Sequence, residues 1–270
     1  MFRRLILVLV LTLGITWGGV AALRPPDLDR AAPSSRAVLA EAAQVIDLPA
    51  PRRAPPPPPP PRPAGELPEL AFELKGSYLV VDARRSKVDV FAEPGGSPTQ
   101  QLPGRNPVDQ AVPFLVLDET PGWYRVVLPA RPNRSTGWLS AQQVAPREVK
   151  HALIARLGQF RLEHYVDGQL HQAFRVATGK PSTPTPTGLF YVWATQEYRH
   201  PPYDPGIFAL SGFSPVLTNW PGGGRAGIHG WQDSRVIGKR ASNGCLRMTP
   251  QDFQKLLSSV PLGTPVQILP

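Results

Sequence analysis

Seven consecutive prolines, Pro55 to Pro61, set the first limit on what this chain can fold into. Proline has no backbone N–H to donate and its φ is fixed, so such a run enters neither a helix interior nor a sheet and extends as a polyproline II rod. The flanking residues, from Arg24 to about Gly65, are rich in Ala, Pro and Arg. That is the composition of a spacer. The chain holds 35 prolines in 270 residues, against a usual share of roughly 5%, and their crowding here predicts a disordered linker over 24–74. A proline-rich ligand for a recognition domain is the competing reading.

Ahead of the linker, Met1-Phe-Arg-Arg is followed by an apolar run, Leu5 to Leu13, and small residues from Gly18 to Ala22. A basic end, an apolar core and small residues at a cut site are the layout of an export signal. The uncharged span Leu5 to Leu23 also nears the ~20 residues that cross a bilayer. Residues 1–23 are therefore expected to be a signal peptide or an N-terminal membrane anchor, and the chain to be exported to the cell envelope. In an exported chain the single cysteine, Cys245, has no intramolecular disulfide partner and is either an incidental buried thiol or a reactive one. The net charge of +9 suits an anionic envelope polymer or membrane surface. Export removes most of the case for nucleic acid.

Between Tyr78 and Val144 short strand-like runs alternate with turn signals. The runs are Leu79–Val81, Val88–Phe91, Phe114–Leu117, Trp123–Leu128 and Trp138–Leu139, divided by Glu93–Gly96, Pro103-Gly104, Pro121-Gly122 and Gly137. This pattern predicts a small antiparallel barrel. The stretch Asp118 to Leu128, followed by Gly137-Trp-Leu-Ser140, resembles the ending of bacterial SH3-like domains, which places such a domain over 75–147. There Trp123 and Trp138 are read as core in preference to a groove for a wall polymer.

From Lys150 strands dominate again: Ala152–Leu157, Phe160–Val166, His171–Ala177 and Gly188–Trp193, with Asp167-Gly168 as a hairpin turn. Only Pro250 to Val260 reads as a helix, with Thr249 as N-cap, Pro250 at the first position and Phe253, Leu256 and Leu257 on one face. A last strand over Pro265 to Leu269 closes a domain over 150–270. The fold class is mainly β, a β-rich α+β: a small barrel followed by a mixed sheet with one helix after the cysteine.

His229, in Gly227-Ile-His-Gly230, lies 16 positions before Cys245, in Ala241-Ser-Asn-Gly-Cys-Leu-Arg-Met248. A cysteine nucleophile needs a base to make thiolate and N–H groups to meet the oxyanion. Glycines beside both residues permit close approach. By themselves a Cys and a His at this spacing are common. The full pattern, "IHG", a spacer, then "SNGCLRM", with Thr178 to Gly188 and Gly263-Thr-Pro-Val266 around it, resembles the YkuD family of L,D-transpeptidases over the last 120 residues or so.

The resemblance implies a peptidoglycan L,D-transpeptidase that forms 3→3 cross-links between wall stem peptides. It assigns Cys245 as nucleophile, His229 as base oriented by the Gly230 carbonyl, and the N–H groups of Gly244 and Cys245 as the oxyanion hole. Ser242, Asn243, Arg247 and Tyr203 are supporting or substrate-binding residues, with Arg247 either pairing a stem carboxylate or making a structural ion pair. Asn243 stands where the commonest family motif has a second histidine. An amide hydrogen-bonds but shuttles no proton at neutral pH, so this departure bears on rate or substrate preference.

No cofactor or metal is implied, because the thioester keeps the free energy of the broken amide, and carbapenems are the expected inhibitors. The alternatives are an L,D-carboxypeptidase, an enzyme attaching envelope proteins to the wall, and an inert wall-binding module. The stretch Glu197 to Pro221, with Tyr198, His200, Tyr203, Phe208, Phe213 and Trp220, is expected to be an irregular lid or cleft wall. His151, His164 and His171 are expected to be ordinary edge or surface residues.

Overall fold

The computed structural model describes residues 72–219 and 221–270. The expected signal peptide or anchor over 1–23, the expected linker up to residue 71, and Trp220 lie outside the described residues. The described part falls within one compact unit and is built from two large sheets.

The first sheet is formed by β1 (Tyr78–Ala83), β2 (Lys87–Phe91), β3 (Pro98–Pro103), β4 (Pro113–Thr120), β5 (Trp123–Val127), β6 (Thr136–Ser140) and β7 (Val144–Val149). Its seven strands run in the order β3-β2-β6-β5-β4-β1-β7, every pairing antiparallel. Strand alternation sends Val88, Val90, Phe114, Val126 and Leu139 into its own apolar core. Val80, Leu115, Val127 and Val149 point the other way and pack with Leu189 and Tyr191 of the second sheet. The expectation that Trp123 and Trp138 are core is corrected: both are half-buried. The same alternation explains it, because Gly137 and Leu139 point inward and leave Trp138 outward, opposite Phe91, whose ring meets Trp123 edge-on at 4.9 Å.

The second sheet gathers β8 (His151–Arg156), β9 (Arg161–Val166), β10 (Gln169–Arg175), β12 (Gly188–Glu197), β13 (Gly206–Phe213), β14 (Arg225–Gly230), β16 (Leu246–Met248) and β17 (Pro265–Leu269). The order is β10-β9-β8-β17-β12-β13-β14-β16, parallel at β17/β8 and β14/β16. A separate parallel pair joins β11 (Thr178–Gly179) to β15 (Arg240–Ser242). Asp167 and Gly168, with φ of 49° and 76°, make the left-handed turn that joins β9 to β10.

Helix α1 (Pro250–Leu257) is shorter than its apolar pattern suggested, because Ser258 closes it. Thr249 Oγ1 caps it by accepting from the Asp252 N–H at 3.2 Å. Its buried face, Phe253 and Leu256, lies in the main core with Phe190, Phe208, Leu210 and Ile228. The segment expected to be an irregular lid contains β13, a central strand. Its residues Gly206-Ile-Phe-Ala-Leu-Ser-Gly-Phe213 are largely buried on both faces, so they carry no polar alternation for a sequence reading to detect.

Polar contacts also join the two sheets. Asn133 exchanges two hydrogen bonds with the Phe213 backbone at 2.8 and 2.9 Å, and Arg131 donates to Ser214 O and Gly223 O. Arg147, paired with Asp82 at 2.6 Å, reaches Leu262 O at 2.9 Å. Phe213, Ser214 and Gly223 are therefore held from the first sheet.

Candidate active site

The parallel pairing of β14 with β16 sets Ile228 opposite Leu246, His229 opposite Arg247 and Gly230 opposite Met248. This register brings the histidine strand beside the turn that carries Cys245. The turn is braced from within: Ser242 Oγ donates to Cys245 O at 2.6 Å and accepts the Gly244 N–H at 3.1 Å. It is also held from below by the segment after β11, where the Lys180 N–H and Thr183 Oγ1 both donate to Ser242 O, at 3.0 and 3.2 Å.

Gly244 has a φ of +114°, closed to most side chains. Gly230 is needed for another reason: a Cβ there would run into the Asp204 carbonyl, so only glycine lets the Tyr203–Pro205 segment lie over the histidine strand.

Because its N–H is taken by Ser242, Gly244 is not a free oxyanion donor. The Gly244 N–H, expected as an oxyanion donor, is thus bonded within the turn. The Cys245 N–H makes no hydrogen bond among the described residues.

His229 is 2% exposed, and its Nδ1 lies 2.8 Å from Gly230 O. A carbonyl only accepts, so Nδ1 carries the hydrogen and Nε2 presents its lone pair. Tyr203 meets the imidazole edge-on at 4.9 Å and Trp231 at 5.8 Å. Burial pulls His229 down to about 4, with the Arg247 charge adding to the pull and the Gly230 hydrogen bond resisting it. Burial pushes the Cys245 thiol up, against the Gly227 backbone hydrogen bond and the Arg247 charge. Both shifts favour the uncharged forms, thiol and imidazole.

The pH dependence follows. His229 accepts a proton only above its folded value, so acylation by a carbapenem should stay level from pH 5 to 8 and fall below about 4. Alkylation by iodoacetamide, which consumes thiolate, should keep rising at the alkaline end. Stopped-flow rates across pH check both. A carbapenem limb near the ordinary histidine value would contradict a neutral buried base.

Cys245, His229, Tyr203, Asn243, Gly244 and Arg247 line one cleft of about 450 Å3, counted to its open mouth. Cys245 itself is half-buried. Arg247 makes no ion pair among the described residues. Its guanidinium stacks on Trp231 at 3.6 Å, Nη1 reaches Ala241 O at 3.4 Å, and Nε is buried without a partner.

Sequence reasoning passed over Trp231 and Arg225, although Trp231 directly follows the His-Gly pair and Arg225 begins the same strand. His200 is exposed. The other three histidines gather on β8, β9 and β10: His151 Nδ1 and His164 Nε2 lie 2.9 Å apart, and the His171 ring meets His164 edge-on. His164 is 2% exposed and so no surface residue. Burial, then the neighbouring His151 and His171, draw it down to about 4.

Comparison with known proteins sets this domain among transpeptidase enzymes. The family profile described as YkuD, L,D-transpeptidase catalytic domain, matches residues 150–268. A protein of Bacillus subtilis (strain 168) named as an L,D-transpeptidase, YkuD, is 30% identical over 148 residues, 53% of this chain and 84% of that protein. The protein of Escherichia coli (strain K12) named as the L,D-transpeptidase ErfK/SrfK is 27% identical, over 57% of this chain and 54% of its own. Among solved structures, a mutant L,D-transpeptidase of Enterococcus faecium is similar at 26% identity and a TM-score of 0.35, over 44% of this chain and 49% of that one. The chain belongs to the YkuD family of L,D-transpeptidases.

Proposed function

We propose that this chain is an exported peptidoglycan L,D-transpeptidase that forms 3→3 cross-links through a Cys245 thioester. The observation that carries the reading is the buried His229, its Nδ1 tied to Gly230 O and its ring in one cleft with Cys245. The thiol proton passes to His229 Nε2 as sulfur attacks the carbonyl that follows the third residue of a tetrapeptide stem. The C–N bond breaks, the imidazolium returns the proton to the departing amine, and D-Ala leaves. A side-chain amine of a second stem then attacks the thioester, gives up a proton to His229 and frees the thiol. The Cys245 N–H receives the oxyanion, and Arg247, without a carboxylate partner among the described residues, takes a carboxylate of the stem.

The first sheet, with its strand pattern over 75–147, serves as an SH3-like module docking the enzyme on wall polymer. Residues 1–23 export or anchor the chain, and the linker gives it reach.

The test uses disaccharide-tetrapeptide and mass spectrometry of the products. Wild type should release D-Ala and yield a cross-linked dimer, and Cys245→Ala should yield neither. Tripeptide without dimer would replace the amine acceptor with water and make the enzyme a carboxypeptidase. No D-Ala release by wild type, with no carbapenem adduct on Cys245, would leave an inert wall-binding module.

A further inference from the structure

Arg247 is a half-buried cation that polar contacts do little to hold. No carboxylate pairs with it among the described residues, its Nε is buried without a partner, and Nη1 reaches Ala241 O only at 3.4 Å. An arginine gives up much rotamer freedom when it is ordered. The close contact that fixes this one is the Trp231 ring, whose centre lies 3.6 Å from the guanidinium carbon.

Trp231 is itself firmly placed. Its N–H donates to Met248 O at 2.8 Å, which carries the register of β14 on β16 one residue past Gly230. Side chains two apart on an extended strand share a face, so His229 and Trp231 project together, and Arg247, paired opposite His229, meets them there. The indole thus touches two functional groups at once, the guanidinium at 3.6 Å and the imidazole ring at 5.8 Å. Trp231 is not among the described residues that line the cleft, whereas His229 and Arg247 both are.

We propose that Trp231 is a positioning residue for the reaction at Cys245: its ring holds the Arg247 guanidinium in the cleft, where the cation selects a peptide that bears a carboxylate. Stacking uses the flat face of a guanidinium and leaves its N–H groups, which point outward in the plane, free for the two oxygens of a carboxylate. That the carboxylate belongs to a wall peptide rests on the transpeptidase reading. That Trp231 holds the cation does not.

The same ring covers part of His229. The titrating and charged groups around that imidazole are Tyr203, Cys245 and Arg247, and burial with the Arg247 charge holds it down to about 4. Loss of the indole admits water to the imidazole and frees Arg247 to swing away. Both changes raise the histidine, so in Trp231→Leu the acid limb of carbapenem acylation should move up from about pH 4 toward the ordinary histidine value. Trp231→Phe, which keeps a ring, should move it less.

The selecting role is read from protection of Cys245 against a carbapenem by a stem tetrapeptide and by the same peptide with its carboxylates amidated. Wild type should prefer the free peptide, and Trp231→Leu should lose roughly ten-fold of that preference, the scale of one hydrogen bond to a charged group. Trp231→Phe should restore most of it. Arg247→Met should lose the preference outright, and adding either Trp231 variant to it should change the ratio no further, as two residues acting through one contact require. The milder Trp231→Phe carries the same cycle if Trp231→Leu fails to fold. A preference that survives in Trp231→Leu, or that Trp231 variants still lower in Arg247→Met, overturns the proposal, and an acid limb that stays near pH 4 overturns the part at His229. If wild type released no D-Ala while the coupled loss of preference held, the transpeptidase reading would fall and the role of Trp231 would stand.

Discussion

Replacing His229 with alanine should slow acylation of Cys245 by a carbapenem roughly a thousandfold, within the range that positioned general bases contribute. The size follows from the resting state. Burial favours the thiol and the uncharged imidazole, so little thiolate stands ready to react once the base is gone. Among the described residues lining the cleft there is no other histidine and no carboxylate, and Asn243 has an amide that cannot take a proton at neutral pH. The acid limb below about pH 4 should disappear in the same variant, because the titrating group has been removed. Intact-protein mass against time measures the rate. A loss smaller than ten-fold would mean that another group accepts the proton.

Phe253→Ala should lower unfolding free energy by about 3–5 kcal/mol, the usual cost of emptying a buried phenylalanine site. Phe253 is 0% exposed and meets Phe208 edge-on at 5.0 Å, so the change removes an aromatic pair as well as volume. The cavity would open behind β13, where Phe208 is paired with Ile228, the residue before His229. Thermal inactivation should therefore accompany the shift in urea midpoint. A loss below about 1.5 kcal/mol would show that α1 collapses onto the gap, as sites able to relax do.

The meeting of Cys245 and His229 in one cleft was legible because the two stand close together in sequence, among glycines that mark themselves. Gly230 and Gly244 stand where the structure requires them, one for the approach of Asp204 and one for its φ. The turn at Asp167-Gly168 and the cap at Thr249 were legible for the same reason: each is a local rule written in local residues.

What sequence could not show depends on which face a strand presents and what covers it. Gly206–Phe213 reads as irregular because both faces are buried. Trp123 and Trp138 read as core because nothing local distinguishes an inward tryptophan from an outward one. His164 looks like an edge residue until its neighbours on β8 and β10 close over it. The bond from the Gly244 N–H to Ser242 Oγ was not legible, since a serine hydroxyl's choice of partner is fixed only by the folded turn.

The apolar patch shared by the sheets, with Val80, Leu115, Val127 and Val149 on one side and Leu189 and Tyr191 on the other, makes them one cooperative unit of unfolding. A fragment cut near Lys150 would present its half of that patch to water, a surface that favours aggregation. It would also lose Arg131 and Asn133, whose hydrogen bonds hold the segment Phe213–Gly224 beside the cleft. The first sheet thus belongs to the melting behaviour of the cleft, and heat should dismantle both in a single transition.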